Sequence, residues 1–366
     1  MTNGYMQQAF ELAEQGRGLT SPNPTVGSLI VRDGEVVGRG FHTWAGRDHA
    51  EIVALREAGE AARGAAMYVT LEPCSHQGRT GPCVDAIIKA GIAKLFAPVQ
   101  DPNPQVSGEG FARLRSAGIE VHLDEANRLQ AERLNEAFIH FMKSGRPLVT
   151  IKAALTLDGK IAAPQDNFGW ITSEIARANV QQVRHFSDAI LTGLGTVLED
   201  DCLLTDRSGL ERARPLLRIV LDSQLRIPLQ SKMVTSARSD VLVVGTSAAS
   251  EERKKALEDA GIEVLIADGP GGRTDPRKVI EYLAERRYLS LMVEAGAKVN
   301  WTMLDTHIAD KVLFYYAPKI LGGLESLPVA GGIGRLRRSD AILLERLTVH
   351  SISPDEFAVE AYVGKA

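Results

Sequence analysis

Short apolar runs that alternate with amphipathic helical stretches restrict this chain to layered α/β architectures. In the second half the runs fall at 148–154, 189–193, 217–222, 240–245, 263–267, 290–294 and 312–317, with helical stretches at 173–186, 251–260, 276–287 and 298–305. This alternation of strands and helices suggests a mainly parallel sheet covered on both faces. Two further strands, 344–350 and 357–363, have no helix between them and predict an antiparallel hairpin at one edge. Thr172-Ser173-Glu174 reads as a helix cap. The first half opens with a helix over 3–16, then follows a β-β-α-β-α-β-α succession. Its first two strands, SLIVRD and EVVGRG, meet at Asp33-Gly34, a hairpin signal. A final helix is expected over 124–142. Ser144-Gly145-Arg146-Pro147 then breaks the pattern, because a helix does not run easily through Gly and Pro. Two α/β domains are expected, 1–145 and 147–366.

The first domain holds two of only three cysteines in 366 residues, Cys74 and Cys83, inside LEPCSHQGRTGPC. Three cysteines do not make a disulfide scaffold, and a close pair in a reducing compartment points to a metal or to catalysis. Upstream stands His49-Ala50-Glu51 at a helix start. One histidine, two thiolates and a glutamate two residues after the histidine form the set that zinc deaminases use. Thiolates are soft donors that suit zinc. Three protein ligands leave a tetrahedral corner for water, whose pKa zinc lowers toward about 7. His49 and Glu51 do not share a helical face, but from the first turn both converge on a point beyond the helix end. Cys83 follows Pro82 at another helix start, where the dipole favours a thiolate. The eight residues between the cysteines depart from the common C-x-x-C. Two unrelated core cysteines, or a closed structural zinc site with His76 as fourth ligand, are the competing readings. The second leaves Glu51 without a role.

With 44% hydrophobic and 24% charged residues and a net charge of −4, the chain reads as a soluble globular protein without a nucleic-acid or membrane partner. No apolar run reaches the ~18 residues needed to span a bilayer. The opening MTNGYMQQAFELAEQG lacks a basic segment followed by an apolar one, so no secretory leader and a cytoplasmic location are expected.

PNPTVG (22–27), His49-Ala50-Glu51, LEPCSHQGRTGPC (71–83) and DPNPQVSGEG (101–110) closely resemble the bifunctional riboflavin-biosynthesis deaminase/reductase family, eight-residue insert included. The resemblance continues through IKAALTLDGKIA (151–162), GWITS (169–173), GLGTVLEDD (193–201), LLTDR (203–207), VLDS (220–223) and EAGAKVN (294–300). It implies a cytidine-deaminase-like three-layer domain followed by a dihydrofolate-reductase-like doubly wound domain. It also implies one zinc per chain, NADPH, and association into a dimer or larger oligomer. The expected chemistry is hydrolysis of the 2-amino group from a diaminopyrimidinone ribosyl phosphate, then reduction of the ribosyl to a ribityl side chain. The rival reading is a zinc deaminase of another pyrimidine with a non-catalytic C-terminal binding module.

By resemblance, His49, Cys74 and Cys83 hold the metal, Glu51 moves protons, and Asn23, His42, His76, Arg79, Asp101 and Asn103 line the first pocket. Asn23 offers an amide donor and acceptor suited to a pyrimidine edge, although Pro-Asn-Pro and Asp-Pro-Asn-Pro are also plain turn signals. In the second domain Ala154, Trp170, Thr196, Asp200 and Ser223 are implied to contact NADP. Lys152, Arg184, Leu204, Arg207 and Glu294 are implied to contact substrate. Arg184 and Arg207 are the cations that match a phosphate monoester, unless they are ordinary surface arginines. Lys152, Asp200 and Glu294 are the candidates for proton delivery. Ser223 and Arg226 are candidates for selecting the 2′-phosphate of NADPH. No G-x-G-x-x-G follows the first strand, which argues against a Rossmann dehydrogenase. Two positions depart from the family pattern. Phe168 replaces an expected Ser, and Cys202, expected to be a bystander thiol, replaces a Pro.

Overall fold

The computed structural model describes residues 3–44, 47–75, 81–103, 107–165 and 169–364. His76, Arg79 and Phe168 therefore lie outside the described residues. The chain divides into two compact units, Met1–Gly145 with Glu211–Arg214, and Arg146–Leu210 with Pro215–Ala366.

The first unit runs α1 (Asn3–Gln15), β1 (Gly27–Arg32), β2 (Glu35–Phe41), α2 (Ala50–Ala58), β3 (Ala66–Val69), α3 (Cys83–Ala90), β4 (Lys94–Ala97), α4 (Glu109–Ser116), β5 (Glu120–Leu123), α5 (Arg128–Leu134) and α6 (Glu136–Ser144). Its sheet has the order β2-β1-β3-β4-β5. The β1–β2 hairpin turns at Asp33 and Gly34, both at positive φ, the conformation a two-residue loop with right-handed twist requires. Alternation on the strands divides two cores. Ile30, Met67, Val69 and Leu95 pack with Ala54, Val84, Ile87 and Leu114 of α2, α3 and α4. Leu29, Val31 and Tyr68 face Met6, Ala9 and Phe10 of α1 and Ala131 of α5. Three layers result. Each fully buried large apolar side chain contributes about 1.5–3 kcal/mol to holding them together.

α2 lies unusually close on β2. A Cβ at Gly40 would sit 2.1 Å from the Ala50 carbonyl oxygen, and one at Gly38 would sit 2.3 Å from that of Ala54. Only glycine permits this approach, which places the first turn of α2, and so His49 and Glu51, directly at the sheet.

Two expectations need correction. The helix expected over 124–142 is broken at Asn135, between α5 and α6. Asn135 is buried, and its side chain accepts from Thr25 N at 2.8 Å and donates to Thr25 O at 2.9 Å. It thereby satisfies both backbone groups of Thr25 in PNPTVG, at a residue whose φ of −110° departs from the helix although its backbone bonds to Ala131 and Ile139 persist. The strand β5 was not expected. Its EVHL is half-exposed throughout and carries no apolar run.

The second unit runs β6 (Leu148–Thr156), β7 (Lys160–Ala162), α7 (Glu174–His185), β8 (Ala189–Gly193), α8 (Leu194–Asp200), β9 (Leu217–Leu221), α9 (Lys232–Thr235), β10 (Val241–Gly245), α10 (Glu251–Asp259), β11 (Glu263–Ile266), α11 (Pro276–Glu285), β12 (Ser290–Val293), α12 (Ala297–Asp305), β13 (Lys311–Ala317), β14 (Leu327–Pro328), β15 (Leu344–Ser353) and β16 (Glu356–Val363). Nine strands form one sheet in the order β11-β10-β9-β8-β12-β6-β13-β16-β15, and β7 pairs with β14 apart from it. From β11 to β13 the pairings are parallel, and β16 and β15 close one edge antiparallel, as the helix-free final hairpin predicts. One face packs on α11 and α12 through Val279, Leu283 and Met303. The other packs on α8, α9 and α10 through Val197, Met233 and Leu257. This doubly wound arrangement explains why the strands are apolar on both faces. Ser173 caps α7, its hydroxyl accepting from Ala176 N at 3.3 Å while its backbone N–H donates to Glu356 Oε1 at 2.7 Å. Among the described residues no helix is long and apolar enough to cross a membrane.

Candidate functional site

His49 is the N-cap of α2, with extended φ/ψ, so its imidazole projects past the helix end instead of along it. Its Nδ1 lies 3.2 Å from Cys83 Sγ and 3.5 Å from Cys74 Sγ. The Cys83 backbone N–H, at the start of α3, donates to Cys74 Sγ at 3.3 Å. The three ligand atoms all lie within 4.8 Å of one another, and both cysteines are free thiols. A tetrahedral zinc with bonds of ~2.0–2.3 Å to nitrogen and sulfur sets its ligand atoms about 3.5–3.8 Å apart, so this soft donor set fits the metal with little adjustment. The hydrogen bonds from Cys83 and His49, working against burial, hold the Cys74 thiol at about 4. The hydrogen bond to Cys74 and burial both push the Cys83 thiol up. The Cys74 hydrogen bond raises the His49 imidazole above its usual value.

Glu51, in the first turn of α2, is 4% exposed. Burial, followed by the charge of Cys74, raises its carboxyl to about 7. A carboxyl with that value exchanges protons in both directions at neutral pH, which is what a proton carrier needs. His42 is also buried, and burial pushes its pKa down. Its Nδ1 donates to Asp48 O at 3.1 Å, which leaves Nε2 to accept from Asn23 Nδ2 at 3.1 Å. The Asn23 amide oxygen is thus aimed by a neutral imidazole whose ring packs edge-on against His49, centroids 5.2 Å apart.

Asp101 is buried and its Oδ1 accepts from Asn103 N at 2.8 Å, closing an Asx turn. Sequence reasoning missed the group that holds this turn. Glu72, two residues before Cys74 and 3% exposed, accepts from Asp101 N at 2.9 Å, Gly108 N at 2.9 Å and Phe111 N at 3.1 Å. A buried carboxylate is expensive unless hydrogen-bonded, and these three donors satisfy it. They also tie DPNPQVSGEG to the segment that carries Cys74. A buried acid beside Pro-Cys was the available signal, but its backbone partners, 29 to 39 residues away, have no motif.

In the second unit the register explains the polar cluster. β12 pairs with β6 through Val293 and Ile151, so Glu294 lies beside Lys152 one residue further on. Lys152 Nζ donates to Glu294 Oε1 at 3.0 Å. Arg184, near the end of α7, donates from Nε and Nη2 to Glu294 Oε2 at 3.2 and 3.0 Å, and from Nη1 to Thr205 O at 3.1 Å. Burial pushes the Glu294 carboxyl up, but the Lys152 and Arg184 charges outweigh it and hold the group at about 2. The fork that the sequence reading offers a phosphate from Arg184 is thus engaged with Glu294, whereas the Arg207 side chain is exposed.

Thr196 and Asp200 lie on α8 after β8, and Ser223 follows β9, so these residues gather at the carboxyl ends of adjacent parallel strands. A Cβ at Gly195 would meet nothing within 4 Å, leaving room for a ligand to approach the backbone. The half-buried Thr196 and Ser223 and this open backbone fit the polar contacts of a dinucleotide. Ala154 lies in β6, and Leu204 is buried at φ 49°. Trp170 is 67% exposed, with the Arg177 guanidinium 4.8 Å over its ring. Arg226 is exposed. Burial pushes the Cys202 thiol up to about 11, which keeps it protonated and unreactive.

A His/Cys/Cys cluster beside a buried glutamate in a three-layer unit marks a zinc-type deaminase, and a doubly wound α/β unit with a Lys152–Glu294–Arg184 cluster follows it. The cytidine and deoxycytidylate deaminase zinc-binding region matches residues 2–98, and the RibD C-terminal domain matches residues 147–355. The chain is 40% identical to the riboflavin biosynthesis protein RibD of Escherichia coli over 96% of each chain. It is 41% identical to that of Bacillus amyloliquefaciens over 97% of this chain and 95% of the relative. The solved structure of Acinetobacter baumannii RibD, form 1, aligns with TM-score 0.86 and 35% identity over 99% of this chain and 98% of the other. A Thermotoga maritima diaminohydroxyphosphoribosylaminopyrimidine deaminase/5-amino-6-(5-phosphoribosylamino)uracil reductase aligns with TM-score 0.82 and 34% identity over the same shares. The chain belongs to the RibD family of bifunctional deaminase/reductases of riboflavin biosynthesis.

Proposed function

We propose that residues 1–145 hydrolyse the 2-amino group from 2,5-diamino-6-ribosylaminopyrimidinone 5′-phosphate, and that residues 147–366 then reduce the ribosyl group to ribityl with NADPH. The convergence of His49 Nδ1, Cys74 Sγ and Cys83 Sγ beside the buried Glu51 carries this reading. In it, His49, Cys74 and Cys83 hold one zinc ion. Bound zinc supplies a Lewis acid that makes water nucleophilic at neutral pH. Glu51 would take one proton from the attacking water and pass it to the pyrimidine ring nitrogen, then carry the water's second proton to the amine, which departs as ammonia as the carbonyl forms. Asn23, oriented by His42, reads the pyrimidine edge, and Asp101, Asn103, His76 and Arg79 are the further residues assigned to substrate contact.

In the reductase half, Ala154, Trp170, Thr196, Asp200 and Ser223 contact NADPH. NADPH supplies hydride to the sugar carbon. Arg207 offers its guanidinium to the substrate phosphate, Leu204 shapes the wall beside it, and Arg184 positions Glu294. Lys152 and Glu294 form the proton-holding pair next to the sugar, with Asp200 at the nicotinamide side. The protein works in the cytoplasm on small molecules, as a dimer or larger assembly. The exposed apolar side chains of Leu324, Ile333, Leu336, Leu343 and Leu347 support such an association.

Stepwise turnover tests the proposal. Without NADPH, the diamino substrate should release ammonia in a 1:1 ratio and stop at the deaminated ribosyl phosphate. Adding NADPH should then oxidise the cofactor, and supplying the deaminated substrate directly should bypass the first step. NADPH that binds but is not oxidised with the deaminated substrate would assign the C-terminal half to binding only.

A further inference from the structure

One segment of the reductase half is tied down more completely than its chemistry as described requires. Residues 203–208 have no regular secondary structure, yet five of the six are held by hydrogen bonds and the sixth, Leu204, is buried. Arg218, 1% exposed and the second residue of β9, donates from Nη1 to Leu203 O at 3.0 Å. Leu204 is buried at positive φ. The next three residues are gripped by one face of α7, from positions 181, 184 and 185, the i, i+3, i+4 spacing that aligns side chains. Arg184 Nη1 donates to Thr205 O at 3.1 Å. His185 Nδ1 donates to Asp206 Oδ2 at 2.9 Å, with His185 2% exposed. Gln181 Oε1 accepts from Arg207 N at 2.9 Å. Asp206 Oδ1 in turn accepts from Ser208 N at 2.9 Å. The Arg207 side chain is the exception: it is exposed, and among the described residues no ion pair engages it.

A loop with its backbone tied and one cation released is built to present that cation. A free loop carrying Arg207 would lose conformational entropy each time it bound an anion, and a loop ordered in advance does not. The same helix face, through Arg184, also holds Glu294 against Lys152. The loop that presents the cation and the charged cluster at the sheet are thus fixed to one rigid element.

We propose that Gln181 and His185 are positioning residues that preorganise residues 205–207 so that Arg207 meets the phosphate of the reductase substrate. The proposal rests on the reading of Arg207 as the phosphate contact. The test is steady-state NADPH oxidation by the zinc-loaded full chain, with the deaminated ribosyl phosphate and with its dephosphorylated counterpart. His185→Leu should raise KM for the phosphorylated substrate about tenfold and change kcat less than about twofold. His185→Asn places an amide N–H near the position of Nδ1 and should restore most of the affinity. Gln181→Leu, at a half-buried position that tolerates change, should raise the same KM about threefold. With the dephosphorylated substrate all variants should match the wild type. KM unchanged in both His185→Leu and Gln181→Leu, while Arg207→Ala raises it, would overturn the positioning role alone. An equal rise for both substrates would overturn it too, because general damage would then explain the loss. Arg207→Ala with unchanged KM would instead refute the phosphate contact on which the proposal stands.

Discussion

Glu51→Gln is expected to keep its zinc and to lower ammonia release by about 10²–10⁴-fold, the usual contribution of a positioned proton carrier. Glutamine preserves the size and hydrogen-bonding shape of the side chain but has no proton to give or accept at neutral pH. Glu51 sits in the first turn of α2, is 4% exposed, and has a carboxyl raised to about 7 by burial and by the neighbouring Cys74 charge. Loss of the carboxylate removes a buried charge, so the fold should not suffer. Ammonia release and metal content, measured on the same preparation, separate the roles. Lost ammonia release with retained zinc supports proton transfer by Glu51, whereas loss of both would make it a ligand. NADPH oxidation with the deaminated substrate should be untouched.

Glu294→Gln should damage the other half. It removes the carboxylate that Lys152 and Arg184 share, so two largely buried cations lose the charge that lies between them. Removing one partner of a buried pair costs about 3 kcal/mol or more, and the ammonium of Lys152 should shift from the place the strand register gives it. NADPH oxidation is expected to fall by about 10²-fold or more, with ammonia release retained. The pH dependence has a definite sign. Because the folded value, about 2, lies below the ordinary 4.5, the stabilisation by Glu294 is complete above about pH 4.5 and fades as pH falls toward 2. Thermal unfolding followed from about pH 5 down to about pH 2, the window this shift defines, should show wild type losing its advantage over the variant as acid is added.

The alternation of apolar runs and helices made both sheets legible, because strands buried on two faces admit few other residues. The Cys74, Cys83 and His49 set was legible for a chemical reason: thiols are scarce in this chain, and metal ligation needs fixed residue types. Asn135, Glu72 and the α7 face were not legible. Apart from the Asp206 and Glu294 carboxylates held by α7, their partners are backbone groups of distant segments, and a backbone N–H or C=O leaves no mark in a residue pattern. The distortion at Asn135 belongs here too, because its side chain serves both peptide groups of Thr25, 110 residues away, while its own backbone keeps its helical bonds to Ala131 and Ile139. The strand EVHL escaped notice because an edge strand with half-exposed faces shows little alternation. Arg184 was legible as important, but its engagement with Glu294 depended on parallel register, which emerges only when β6 and β12 are set side by side.

The account turns on three side chains gripping one metal ion. Zinc content of the purified protein, measured by atomic emission beside that of Cys83→Ser dialysed in the same buffer, tests it most directly. The account predicts about one zinc per chain in the wild type and almost none in the variant. Equal zinc in both, or none in an active wild-type deaminase, would contradict it.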